Sequence, residues 1–93
     1  MAYRVVLSRA AIRELDDARA WFSQRGAGRI AARRYAAILR GLMNLETSPD
    51  MYPIDPEAGG YRAIPVSGYW VRFAIRGNDV IVTRIFGPHQ RRD

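Results

Sequence analysis

Apolar residues recur along this chain with two different periods, and the change of period divides it. After Ser8, the positions Ala11, Leu15, Ala18 and Phe22 fall at i, i+4, i+7 and i+11, with Ile12 and Trp21 widening the stripe. This spacing predicts a helix that starts near Arg9, takes Ser8 as its N-cap and buries one face. Gly26-Ala27-Gly28 stops it. A second helix is predicted from about Arg29 to Glu46 on Ala31, Tyr35, Ile38, Leu42 and Leu45, flanked by Ala32, Leu39 and Met43. So short a glycine turn predicts an antiparallel helix hairpin. Gly41 marks either a close helix contact or a tolerated glycine.

Outside the hairpin the period is two. Tyr3 to Leu7 is a short β-branched and aromatic run. Thr47 to Gly60, with Pro49, Pro53, Pro56 and Gly59-Gly60, reads as an irregular connection. Tyr61 to Val66 follows as a strand in which Pro65 requires a bulge or an edge. Ser67-Gly68 turns the chain into Tyr69 to Arg76, where Val71, Phe73 and Ile75 alternate with Trp70, Arg72, Ala74 and Arg76. Gly77-Asn78-Asp79 is a hairpin turn into Val80 to Phe86. The expectation is an α+β, two-layer fold over residues 1–93 as one domain. In it a strand, a helix hairpin and a three-strand meander form a four-stranded antiparallel sheet with both helices on one face. The other face is expected to be open, occupied by Trp70, Arg72 and Arg76, with Arg62 nearby if a bulge at Pro65 re-aims its strand.

Charge changes this picture. The net charge is +6, and Tyr61 to Asp93 supplies +4 of it through six arginines against two aspartates. All 15 basic residues are arginine. A guanidinium binds phosphate or carboxylate through two parallel hydrogen bonds but holds its proton too tightly to act as a general base. An acidic partner is implied, and only His89, the carboxylates and the five tyrosines can move protons. Without cysteine there is neither a disulfide nor thiolate chemistry, and a single histidine argues against a transition-metal site. No cofactor is expected. The opening residues carry neither a cleavable leader pattern nor a membrane span, so the expected address is the cytoplasm. Arg29, Arg33 and Arg40 share the outer face of the second helix and read as a solvated basic face.

Three segments carry a family resemblance: Tyr3-Arg4-Val5-Val6-Leu7-Ser8 with Ala10-Ala11-Ile12-Arg13-Glu14-Leu15; Tyr61-Arg62-Ala63-Ile64-Pro65-Val66 leading into Val71-Arg72-Phe73-Ala74-Ile75; and Val80-Ile81-Val82-Thr83-Arg84-Ile85-Phe86-Gly87. In this order the chain resembles the RelE/ParE toxins of bacterial type II toxin-antitoxin modules, closer to the ParE branch. The resemblance implies a toxin held inactive in a hetero-oligomer by a ParD-like antitoxin whose C-terminal segment wraps around it. It also offers two activities. The RelE branch cuts messenger RNA on the ribosome without a metal, and its pattern maps onto Arg62, His89 and Arg91. However, Ile64 and Trp70 stand where that branch carries basic groups. The ParE branch poisons DNA gyrase by contact and does no bond chemistry. The resemblance, with the residue types enriched in binding hot spots, then gives target contacts at Arg62, Trp70, Arg72, Arg84, Arg91 and Arg92. For Arg84, tying the tail to the sheet is the competing role. A non-toxic relative that keeps only its antitoxin grip is the third reading. Trp21, Tyr35 and Trp70 are the candidate antitoxin contacts, with core packing the alternative for each.

Overall fold

The computed structural model describes residues 2–87. Along the chain run β1 (Arg4–Leu7), α1 (Arg9–Phe22), α2 (Gly28–Asn44), two 3-10 turns (Pro49–Met51 and Pro56–Ala58), β2 (Arg62–Val66), β3 (Tyr69–Arg76) and β4 (Asp79–Phe86). The Ser8 hydroxyl caps α1 by accepting from the Ala11 amide at 3.0 Å and donates to the Thr83 carbonyl at 2.9 Å. One side chain thereby starts the helix and fastens it to β4. Gly26 and Gly28 take φ of +85° and +79° in the hairpin turn, a backbone region that glycine enters without strain.

The sheet order is β1-β4-β3-β2. β2, β3 and β4 form the expected antiparallel meander, but β1 pairs with β4 in parallel, Arg4 opposite Asp79 and Leu7 opposite Val82. The expected all-antiparallel sheet is therefore mixed, for a reason visible at Ser8. The chain does not double back there over the strand it has just left. Instead α1 continues alongside β4, with Ser8 on Thr83, Glu14 on Ile85 and Phe22 against Tyr69. Only the helix hairpin reverses direction, which brings Glu46 back to the start of β1, where its carbonyl accepts from the Tyr3 amide at 2.7 Å. β2 then sets out from the same end as β1.

The core lies between the helix hairpin and one sheet face. Ile38, Leu45, Val71, Phe73, Val80, Val82 and Ile85 are fully buried there, with Tyr69 nearly so. Each large apolar side chain so buried contributes about 1.5–3 kcal/mol. Ile12, Leu39 and Met43, read from the sequence as widening or flanking the buried stripes, are exposed instead. Gly41 faces β2 and not α1: a Cβ there would meet Ile64 and Val66 at ordinary contact distance, so the glycine is tolerated and not demanded.

Pro65 sits on an edge strand, where its missing N–H costs no ladder bond. The irregularity in the sheet is elsewhere. Arg72 pairs with Arg84 and Phe73 with Val82, so Thr83 is an extra residue in β4. This bulge lets Val80, Val82 and Ile85 all point into the core although their spacing is not strictly alternate.

Candidate partner-binding surfaces

The sheet face turned away from the helices takes every second residue of β3. Trp70, 37% exposed, lies opposite Phe86, and Arg72 lies opposite Arg84. The Arg72 and Arg84 guanidinium carbons sit 5.2 and 5.5 Å from the Phe86 ring centroid, within cation–π range. Phe86 is itself almost fully buried. The result is a preassembled cluster of two aromatic rings and two guanidinium groups. The bulge at Thr83 brings it together by turning Arg84 and Phe86 onto the face that Trp70 and Arg72 already share.

Arg84 is fixed from a second side. β1 stops at Leu7, so beyond Val82 the outer edge of β4 has no strand beside it. Glu14 of α1 fills that gap. Its carboxylate accepts from the Ile85 amide at 2.8 Å, standing in for a neighbouring strand, and from the Arg84 side chain at 2.7 Å (Nη2) and 2.9 Å (Nε). The two side chains are only 14% and 27% exposed. Sequence reasoning did not single out Glu14. The signal was an acid beside the inner stripe of α1, together with a first strand too short to cover its partner.

Arg62 departs from this cluster. It keeps its ladder position opposite Phe73 and so points to the helix-bearing side, where it donates to the carbonyls of Tyr52 at 2.6 Å and Asp50 at 3.4 Å. There it holds the connection between α2 and β2 against the sheet, while Tyr52 packs edge-on to Phe73. Ile64 is buried in the core. His89, Arg91 and Arg92 lie outside the described residues.

Trp21 and Tyr35 belong to another region. Trp21, 49% exposed, lines a hollow of about 490 Å³ at the closed end of the helix hairpin with Ile30, Arg25 and Arg34. Tyr35, half-buried against the core, lines an adjoining hollow of about 320 Å³ with Phe22 and Ala32. Trp70 is on the opposite face of the sheet, so the three antitoxin candidates do not make one patch. The exposed Ile12, Leu39 and Met43 add apolar area to the hairpin that helical periodicity alone had assigned to the interior. Inside the protein, burial and then the Asp17 carboxylate raise the pKa of the Tyr69 phenol above its ordinary value. Among the described residues no group of three or more His, Cys, Asp or Glu side chains could hold a metal ion, and no helix is long and apolar enough to cross a membrane.

A family model described as the ParE toxin of type II toxin-antitoxin system, parDE, matches residues 5–93. The chain belongs to the ParE toxin family. Its fold is also that of a solved structure entitled chromosomal ParDE TA system from P. aeruginosa, with a TM-score of 0.73 over 90% of this chain and 94% of that one. The two sequences are 17% identical, so this likeness speaks for the fold alone. No curated protein matches in sequence. Within the ParE toxin framework, the Arg84-Ile85-Phe86-Gly87 segment acquires a structural meaning: one residue for the Glu14 clamp, one for the core, one for the outer-face cluster and one for close approach to Tyr69.

Proposed function

We propose that this ParE-family toxin arrests growth by binding DNA gyrase through the outer sheet face, without bond chemistry of its own, and that a cognate antitoxin silences it in the cytoplasm. The observation that carries the reading is the division of labour among the basic residues. Arg62, the position shared with the nuclease pattern, is committed to the Tyr52 carbonyl on the inner side of the sheet, whereas Trp70, Arg72 and Arg84 are arrayed on the helix-free face. Aromatic and arginine side chains locked against one another are the groups that anchor protein interfaces, since little side-chain freedom remains to be lost on binding.

The test runs two assays on the same induced culture. Gyrase-linked DNA breaks with intact messenger RNA are expected, together with unchanged toxicity of His89→Ala. Reproducible message cuts at the ribosomal A site, or loss of toxicity in a folded His89→Ala protein that still binds antitoxin, would replace this reading with a ribonuclease.

A further inference from the structure

We infer that the outer face of α2 is a docking surface for the phosphate backbone of a nucleic acid duplex. The inference is independent of the gyrase reading. Arg29, Arg33 and Arg40 are separated by four and seven residues, which places them on one face of the helix, and all three are exposed. None forms an ion pair among the described residues. From Ser23 to Leu45 the chain carries five arginines and no acid, whereas on α1 Arg9, Arg13 and Arg19 are interleaved with Glu14, Asp16 and Asp17.

This segregation works against the fold. Arg29 and Arg33 repel one another one turn apart. Arg29 also lies in the first turn of α2, where the helix dipole disfavours a cation, and that turn has neither an acidic residue nor a capping side chain. A face that served only solubility would gain from mixed signs, as on α1. Nothing within the described molecule offsets these arrangements, so the compensating anion is external.

Its chemistry follows from what lies between the arginines. Ala32 and Ala36 are small, and the exposed Ile30, Leu39 and Met43 border the stripe without standing between its guanidinium groups. The centre of a protein interface is apolar and aromatic, whereas phosphates require only positively charged donors at close approach. From Arg29 to Arg40 the stripe rises about 16 Å, matching roughly five base-pair steps along a duplex. With no group positioned to read base edges, such contact is independent of sequence.

Fluorescence anisotropy of a labelled duplex DNA of arbitrary sequence, titrated with the purified chain at several salt concentrations, tests this. Each arginine on a phosphate contributes about 0.9 to the slope of log affinity against log salt. The Arg29→Ala/Arg33→Ala/Arg40→Ala variant is expected to lose about 2 to 3 from that slope, and its lysine counterpart to keep it. A control with the same loss of charge, Arg9→Ala/Arg13→Ala/Arg19→Ala, is expected to lose less than half as much. If the triple alanine variant misfolds, Arg33→Ala alone should still lower the slope by about 0.9. Unchanged slopes, or equal losses in stripe and control variants, would overturn the assignment. So would competition by polyglutamate as effective as by unlabelled duplex, which would assign the stripe to an acidic protein.

Discussion

Replacing Glu14 by alanine removes the partner of two groups at once, and the two losses can be measured apart. The Ile85 amide belongs to a fully buried residue and would be left with no acceptor where β1 has ended, at about 1–3 kcal/mol. The Arg84 guanidinium would lose a bidentate charged partner. With the pair 27% and 14% exposed, solvent reaches it only in part, and we take about 1–2 kcal/mol for this loss after discounting for that access. The sum of about 3 kcal/mol is a large share of a small domain's 5–15 kcal/mol and corresponds to a fall in Tm of roughly 12–24 °C. Thermal and urea unfolding followed by circular dichroism give the total. Hydrogen exchange gives the amide's share, because the Ile85 amide should lose protection in Glu14→Ala and keep it in Arg84→Ala, where the carboxylate remains. If Glu14→Ala were within 0.5 kcal/mol of the parent with the Ile85 amide still protected, the role of Glu14 as a substitute strand would be wrong.

Two further outcomes follow from the Tyr69 ring. Gly87→Ala would place a Cβ 2.8–3.0 Å from three atoms of that ring, which is buried against Phe22, so overpacking should cost about 1–3 kcal/mol in urea unfolding and be partly relieved in a Tyr69→Leu background. The raised Tyr69 pKa means that the folded protein favours the neutral phenol. Its contribution to stability is fully present below the unfolded value near 10 and is lost as pH rises through the higher folded value. The urea midpoint should consequently fall more steeply above about pH 10 in the parent than in Tyr69→Phe, and parallel curves would contradict this.

The helix hairpin and the meander were legible in the sequence because each rests on local signals: the apolar spacing of Ala11 to Phe22 and of Ala31 to Leu45, and the turns at Ser67-Gly68 and Gly77-Asn78. The direction of β1 relative to β4 was not. It depends on whether α1 folds back at Ser8, and the contacts that hold α1 along β4 instead, Ser8 to Thr83 and Glu14 to Ile85, join residues 75 and 71 positions apart. The same holds for the outer-face cluster. Alternation placed Trp70 and Arg72 together, but bringing Arg84 and Phe86 beside them requires the Thr83 bulge, which no proline or glycine announces. Arg62 shows the converse: Pro65 suggested a bulge, the edge position made one unnecessary, and the arginine stayed on the inner side.

The parallel pairing of β1 with β4 also bears on how the toxin comes into being. β4 lies between β1 and β3, so the sheet has no continuous ladder until its last strand in chain order has left the ribosome. Before that point β1 has no strand to pair with, Glu14 has no strand edge to fill, and the outer-face cluster lacks Arg84 and Phe86. A nascent chain can form its helix hairpin early, but contacts of such long sequence separation come late and slowly. Synthesis itself thus leaves an interval in which the polypeptide exists and the folded toxin does not.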